Sequence, residues 1–148
     1  MQVREATSAD LGAVLELYSH LHGEAPPPPS EELDALWAHI MGDPDRHIIL
    51  VELERVIAAS CEVIILPNLT HGQRSYALVE NMVTRPDLRR RGCGGAALAH
   101  AVILARRAGC YKIMLMSSEK HEDAAGLYQS AGFVRGEKTA YVQWLDES

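Results

Sequence analysis

The chain has 148 residues, of which 47% are hydrophobic and 23% are charged, and its formal net charge is −6 at neutral pH. This length predicts one domain, residues 1–148, with enough apolar content to bury a core. The acidic balance argues against a nucleic-acid partner, which would require a basic face. The apolar runs are too short to span a bilayer, so no membrane partner is expected.

The cysteines and the first residues predict a cytoplasmic protein. Cys61, Cys93 and Cys110 are an odd number without the spacing of a disulfide framework or a metal site. Free thiols indicate a reducing compartment. The start, residues 1–5, is charged and is not followed by an apolar core, so no signal peptide is predicted.

The first half of the chain predicts a strand, two helices and a hairpin. Residues 2–6 read as a short strand. Two segments with apolar residues at helical spacing follow, on either side of a proline-rich connection at 23–29. Beyond them, β-rich runs at 47–53 and 56–66 flank a tight turn, which is typical of a hairpin.

The second half predicts alternating strands and helices. A strand at 76–83 precedes a helix at 94–108, and the nearly continuous apolar run at 111–117 reads as a central buried strand. A strand-helix-strand crossover places these two strands parallel to each other. A helix at 123–131 follows, and two final strands, at 133–134 and 140–145, are expected to complete the sheet.

A cationic, glycine-rich turn joins the strand at 76–83 to the helix at 94–108. It reads Arg89-Arg90-Arg91-Gly92-Cys93-Gly94-Gly95. Glycines let backbone N–H groups approach a ligand, and the start of a helix adds unpaired donors and a positive dipole end. Arginines supply forked donors suited to phosphate oxygens. The turn therefore predicts a site for a phosphate-bearing ligand.

Two common phosphate-binding motifs are disfavoured. The letters from Gly92 to Ala97 satisfy the dinucleotide fingerprint G-x-G-x-x-A. That site also requires an acidic residue about 20 positions later, and residues 110–112 contain none. A nucleoside-triphosphate P-loop is excluded because no Gly-Lys-Ser/Thr follows the glycines.

The remaining pattern, R-x-x-G-x-G at Arg89, Gly92 and Gly94, resembles the acyl-CoA-binding motif of the GNAT family of N-acetyltransferases. A second stretch, from Ala124 through Tyr128 to Phe133, is similar to the family pattern A-x-x-x-Y-x-x-x-G-F. The resemblance covers nearly the whole chain. It implies a mixed α/β fold of one domain, with a central mixed sheet of six to seven strands flanked by about four helices.

The resemblance also implies an acyl-CoA-dependent N-acyltransferase that uses acetyl-CoA and no metal. An amine of the substrate would attack the thioester directly in a ternary complex, and Tyr128 would protonate the departing thiolate. A phenol of pKa near 10 holds its proton at neutral pH and can still share it with a thiolate. The alternative interpretation of Tyr128 is a half-buried aromatic residue on a helix.

Glu80 is the candidate base. A carboxylate in the middle of an apolar strand is costly unless it has a partner or a function. Several members of the resembled family carry a glutamate at a comparable place on this strand, whereas many others use water alone. An ion-pairing role for Glu80 is the alternative.

The resemblance assigns further contacts to the donor and the acceptor. Backbone groups near the end of the strand would hold the pantetheine arm, the turn would hold the phosphates, and Ser117, Ser118 and Lys120 would line the other side. Cys93 is interpreted as a packing residue. The predicted donor-binding residues are Met82, Val83, Thr84, Arg89, Arg90, Arg91, Gly92, Cys93, Gly94, Gly95 and Ser117. The predicted acceptor-binding residues are His22, Asn68, Thr70 and Glu80.

The acceptor itself is left open. The acidic balance favours a small cationic amine, such as an amino acid or an aminoglycoside-like sugar, over a protein N-terminus or a lysine. A CoA-binding sensor without turnover is the rival from another class, and a nucleotide-hydride enzyme is a poorer one. The apolar segment Tyr141-Val142-Gln143-Trp144 could support a homodimer.

Overall fold

A computed structural model describes residues 1–146, except for the side chains of residues 119–120. The described chain forms one five-stranded sheet in the order β1-β2-β3-β4-β5. The strands are β1 (Gln2–Glu5), β2 (Arg46–Leu53), β3 (Val56–Leu66), β4 (Tyr76–Thr84) and β5 (Ile113–Leu115). The helices are α1 (Leu11–His22), α2 (Glu31–Gly42), the distorted single turn α3 (Thr70–Gln73), α4 (Cys93–Arg107) and α5 (Ala125–Ser130).

The first four strands are antiparallel, and β5 joins β4 in parallel. The predicted hairpin is confirmed as β2 and β3. Its turn is formed by Glu54 and Arg55, both of which have positive φ angles, 54° and 64°. Two consecutive left-handed residues match the right-handed twist of the flanking strands. The predicted parallel crossover is confirmed as β4-α4-β5.

Helices cover both faces of the sheet. Helix α4 packs on β2, β3 and β4, whereas α1 packs on the opposite side of β3 and β4 and α2 on β2. The core beside α4 contains Ile49, Val63, Val79, Ala97 and Leu98. The core beside α1 and α2 contains Val14, Trp37, Ile48 and Leu50.

An ion pair fixes the entry of α1 to the edge strand β1. The two terminal guanidinium nitrogens of Arg4 donate to the Asp10 carboxylate, at 2.8 and 2.9 Å. The backbone N–H of Thr7 donates to the same carboxylate at 2.7 Å. The Arg4 hydrogen bonds, with a smaller contribution from Thr7, hold the pKa of Asp10 well below its usual range although partial burial opposes them.

The predicted number of strands is wrong, because the described sheet has five strands rather than six or seven. Residues 133–134 and 140–145 form no strand, and the side chains of Tyr141 and Trp144 are 92% and 82% exposed. β5 is correspondingly the edge of the sheet and half-buried, not the buried central strand that its apolar sequence predicts. A strand sequence pairs only where a neighbouring strand lies beside it, and in this chain the C-terminal segment does not return to β5.

No helix among residues 1–146 combines the length and the apolar character that a membrane crossing requires.

Candidate active site

The site is a cleft that opens where β4 and β5 separate. The two strands pair only at Ala77–Ile113, Leu78–Met114 and Val79–Leu115. β4 continues from Glu80 to Thr84 after β5 has ended. The backbone of these five residues therefore has β3 on one side and the cleft on the other.

A bulge in β4 lies at the mouth of this cleft. On β3, Glu62 pairs with Glu80 and Ser60 pairs with Val83, so two residues of β4 oppose the single residue between them. Asn81, the first of the two, has a φ of 51°, in the left-handed region. A bulge of this kind adds one residue to a strand and changes the direction of the groups that follow.

The direction of the backbone groups shows this change. The N–H of Ala77 points to β5, where it donates to the Lys112 carbonyl at 3.0 Å. The N–H of Arg85 points the other way, to the Ala58 carbonyl of β3 at 2.8 Å. The backbone N–H groups of successive residues in a strand point alternately to its two sides. In a regular β4, the N–H groups of Ala77 and Arg85 would therefore point to the same side. After the bulge, the N–H and C=O groups of Met82 and Thr84 face the cleft.

The start of α4 lies against the same end of β4. Gly92, with a φ of 83°, precedes Cys93, the first residue of the helix. A Cβ atom at Gly94 would lie 3.2 Å from both Leu127 Cδ2 and Met82 Cε and 3.4 Å from Thr84 Oγ1. The unbranched backbone thus brings the first-turn amides, which have no acceptor within the helix, next to the cleft. A phosphate-bearing ligand fits this position.

The three arginines of the turn have different surroundings. Arg91 donates to Glu54 at 2.5 Å and so ties the turn to the β2–β3 hairpin. Arg89 and Arg90 have exposed side chains, and Arg90 has a positive φ of 62°. Arg91 is therefore part of the scaffold, whereas Arg89 and Arg90 are accessible to an anionic ligand.

Tyr128 reaches the cleft from α5, on the side of the sheet that α4 covers. Its ring packs against the core beside α4 and is half-buried. Burial raises the pKa of the phenol, the proximity of Ser117 lowers it, and the nearby Cys61 and Asp123 raise it. The net shift is upward, so the phenol keeps its proton at neutral pH. Ser117, just beyond β5, is exposed beside it.

Glu80 approaches the cleft from the opposite face. It pairs across the strands with Glu62, whose own neighbour on β2 is Ile48 in the core beside α1 and α2. Directly paired residues share a face of the sheet, so Glu80 lies on the α1 side. The two predicted catalytic side chains therefore lie on the two sides of β4.

A buried polar cluster on the α1 side was not predicted. The Glu62 carboxylate is 3% exposed and accepts hydrogen bonds from Arg46 Nε at 2.6 Å and from Asn81 Nδ2 at 3.3 Å. A carboxylate within an apolar strand is the signal that singled out Glu80, and it applies equally to the β3 run around Glu62. No pattern in the sequence pointed to Asn81, since its place in the cluster depends on the β4 bulge.

Tyr18 of α1 joins this cluster. Its hydroxyl and that of Ser60 are buried, and neither completes a hydrogen bond of ordinary geometry among the described residues. Burial above all, with the nearby Glu62 and Cys61, raises the pKa of Tyr18, although the proximity of Ser60 and Asn81 opposes the shift. The phenol is therefore neutral at physiological pH.

The other predicted acceptor residues form no hydrogen bond with the cluster among the described side chains. Asn68 Nδ2 donates to Thr70 Oγ1 at 2.9 Å and to the Arg74 carbonyl at 3.2 Å, so this loop is bonded within itself before β4 begins. His22 is the exposed last residue of α1, one helical turn beyond Tyr18. The side chain of Lys120 lies outside the described part of the chain.

The titratable side chains of residues 1–146, leaving aside those of 119–120, form no group of three or more that could hold a metal ion. Cys93 is 1% exposed at the start of α4 and is packed in the core beside that helix.

The glycine-rich start of α4 beside the open edge of β4 agrees with the acyl-CoA site that the resemblance to the N-acetyltransferases implies. The model of the acetyltransferase (GNAT) family matches residues 13–133. The chain belongs to the GNAT family and is an N-acetyltransferase. Members of this family use acetyl-CoA as the acyl donor.

Two curated relatives carry the same description. The chain is 33% identical over 138 residues to a glucosamine 6-phosphate N-acetyltransferase of Trypanosoma brucei brucei, which covers 90% of this chain and 88% of the relative. It is 30% identical over 142 residues to a probable glucosamine 6-phosphate N-acetyltransferase 2 of Oryza sativa subsp. japonica, at 90% and 82% coverage.

Among solved structures, a putative acetyltransferase from Agrobacterium tumefaciens str. C58 is 32% identical, with a TM-score of 0.89 over 97% of this chain and 100% of that one.

Proposed function

We propose that the protein transfers the acetyl group of acetyl-CoA to a primary amine of a small molecule, by direct attack in a ternary complex. Glu80, directly or through a water molecule, acts as the base, and Tyr128 acts as the acid. The single observation that carries this proposal is the cleft beyond Val79, because Glu80 and Tyr128 approach it from opposite faces.

The donor is held along the free edge of β4 and at the start of α4. Acetyl-CoA supplies a thioester already activated for transfer. The cleft-facing groups of Met82 and Thr84, with Val83 between them, bind the pantetheine arm as a strand would. The amides of Cys93, Gly94 and Gly95 bind the phosphates, with Arg89 and Arg90 beside them. A backbone N–H at Met82 polarises the thioester carbonyl.

The base is required because an amine of lysine-like pKa is mostly protonated at pH 7. Removing its proton costs about 4–5 kcal/mol, from a pKa near 10.4. Glu80 lies half-buried on the face that α1 covers, where the amine enters from the side opposite to Tyr128. The Glu80 carboxylate takes the proton of the amine, and its negative charge also attracts the cationic form of the acceptor.

Tyr128 moves a proton at the other side of the reacting carbon. Its partly buried phenol is protonated at neutral pH and has Ser117 nearby. The phenolic proton passes to the CoA sulfur as the bond between carbon and sulfur breaks. A thiolate of pKa near 8.5 accepts this proton in the course of its departure.

The proposed acceptor is an amino sugar phosphate. Two curated relatives, 33% and 30% identical, are described as a glucosamine 6-phosphate N-acetyltransferase and a probable one. The net charge of the chain, −6, could attract the ammonium group of such a sugar but not its phosphate, so the acceptor is proposed from the relatives and not from the charge. The buried, hydrogen-bonding cluster on the α1 side suits a hydroxylated acceptor better than an apolar one.

The test is release of free CoA, followed by chromatography, across a panel of amines. The panel contains glucosamine 6-phosphate, glucosamine, aminoglycosides, amino acids and peptides with a free N-terminus or lysine. Tyr128→Phe is expected to lower kcat about 100-fold with little change in KM for the acceptor, because a general acid acts in the transition state. Glu80→Gln is expected to lower kcat/KM at pH 7 by a similar factor. Tyr111→Phe, at a half-buried tyrosine that stacks on His71, is the matched control.

The outcomes separate the rival functions. Turnover of peptides but not of small amines would replace the proposed acceptor with a protein. Binding of acetyl-CoA without turnover on the whole panel would instead favour a CoA-binding sensor. Full activity of Tyr128→Phe would remove the assignment of the acid while leaving the enzyme intact.

We also propose that the protein forms a homodimer in which residues 140–145 of each copy pair with the open edge of β5 in the other. This segment has no regular secondary structure, and its side chains Tyr141, Val142, Trp144 and Leu145 are exposed. β5, whose sequence reads as a central strand, has no neighbour on its outer side among residues 1–146. Reciprocal exchange covers both features at once in a closed, two-fold assembly.

A further inference from the structure

The buried carboxylate of Glu62 has a partner on each oxygen. Arg46 on β2 donates to Oε1 at 2.6 Å, and Asn81 on β4 donates to Oε2 at 3.3 Å. At 3% exposure the charge is stable only because these partners replace water. Because the side chain is 3% exposed, the carboxylate is closed to a ligand in the cleft. Any influence on the reaction passes through its partners.

Asn81 is the partner that lies in the site. Its φ of 51° is uncommon for a residue with a side chain, although asparagine tolerates the left-handed region better than most. Such a conformation persists only where the surroundings hold it. The hydrogen bond from Nδ2 to Glu62 is the described contact that holds the Asn81 side chain.

The bulge decides which backbone groups meet the cleft. Because of the bulge, the backbone N–H and C=O groups of Met82 and Thr84 face the cleft beyond the end of β5. In a regular β4, the groups of Asn81 and Val83 would face it instead. The N–H proposed to polarise the thioester carbonyl is the one at Met82, directly after Asn81. The position of this donor relative to the carbonyl therefore depends on the conformation of Asn81.

We propose that Glu62 is a positioning residue of the acetyltransferase, which acts through Asn81 to hold the β4 bulge and aim the Met82 N–H at the thioester carbonyl. This role rests on the proposed function. A backbone N–H stabilises the negative charge that develops on the carbonyl oxygen only if it already points at that oxygen before the reaction. A misplacement of about 1 Å costs on the order of 100-fold in rate.

The test compares two replacements of Glu62. Glu62→Met keeps the size but loses both hydrogen bonds, and it is expected to lower kcat about 100-fold. Glu62→Gln can still bond to a reoriented Asn81 amide but cannot take up a proton. It is expected to retain activity within about threefold of the wild type. A Glu62→Gln variant as impaired as Glu62→Met would overturn positioning in favour of a role for the charge or for proton transfer.

A double variant tests whether the effect passes through Asn81. Asn81→Gly removes the side chain but permits the same φ. In the Asn81→Gly background, Glu62→Met is expected to cost no more than about a further twofold. A double variant whose loss of kcat equals the product of the losses in the two single variants would contradict the proposal. If Glu62→Met does not fold, Asn81→Ala decides, because alanine loses the hydrogen bond to Glu62 and also disfavours the positive φ. A kcat lowered by at least about tenfold is expected, and an unchanged kcat would exclude positioning through Asn81.

The NMR spectrum of bound acetyl-CoA provides a measurement that does not depend on the general stability of the protein. The carbonyl ¹³C resonance of acetyl-CoA labelled at that carbon is expected to shift downfield on binding to the wild type, and to lose the shift in Glu62→Met. Glu52→Met, at a half-buried carboxylate of β2, is the control and should keep the shift. A shift retained in folded Glu62→Met would overturn the proposal. Binding with this shift but without turnover would refute the proposed function alone.

Discussion

At the scale of single residues, two adjacent glycines at the start of α4, Gly94 and Gly95, have different surroundings. A Cβ at Gly94 would meet Leu127, Met82 and Thr84, whereas a Cβ at Gly95 meets nothing within 4 Å. Gly94→Ala is expected to lower the free energy of unfolding by about 1 kcal/mol, since the two closest atoms end flexible side chains. Gly95→Ala should instead raise it by a few tenths, because alanine favours the helix. Denaturant unfolding of the unliganded variants measures both. Equal effects would refute the close packing at Gly94.

The residue scale also shows what the sequence could predict of the site. Arg89, Gly92, Gly94 and Tyr128 belong to spaced motifs, so they could be located without coordinates. Their roles in binding and catalysis remain proposals. The positive φ of Asn81 depends on pairing between strands, which no local pattern in the sequence encodes. The pairing of Arg91 with Glu54 likewise joins residues of two different turns.

At the scale of elements, the attachment of α1 to β1 depends on pH. The pKa of Asp10 is depressed in the folded state, so its contribution is fully present above the unfolded value near 3.9 and is lost as the pH falls through and below it. Asp10→Asn is expected to cost about 1 kcal/mol at pH 7, allowing for solvent screening, and less at pH 3. Urea unfolding at the two pH values measures the difference. Asp34→Asn, at an exposed carboxylate of α2, is the control, and a cost independent of pH would contradict the ion pair.

Helices and turns that depend on nearby residues were predicted well from the sequence. Strands were predicted poorly where their formation depends on a distant partner strand. The Ser30 hydroxyl accepts the Leu33 N–H at 3.1 Å and caps the start of α2, as serine commonly does at this position. The turn at Glu54 and Arg55 and the end of α4 before Gly109 also follow local chemistry. The segment at 140–145 has strand-like residues, yet strand propensity cannot name a partner strand.

At the scale of the whole molecule, the proposed exchange of C-terminal segments predicts a dimer. Light scattering coupled to size exclusion is expected to give twice the mass of the 16.3 kDa chain. A chain ending at residue 138 should run as a monomer, because the exchanged segment is gone. A full-length monomer, or a dimer that survives the truncation, would refute the exchange. Trp37→Phe leaves Trp144 as the one tryptophan, whose emission should shift to the blue in the dimer.

The placement of the three thiols makes a simple optical assay practicable. Cys61 and Cys93 are 0% and 1% exposed, and Cys110 is half-buried. Burial, with the nearby Glu62, raises the pKa of Cys61 to about 12, and burial also raises the pKa of Cys110. Since a thiolate is the reactive form, the folded protein should react slowly with a chromogenic thiol reagent. The colour then reports the liberated CoA thiol continuously, against a background to which the enzyme itself adds little.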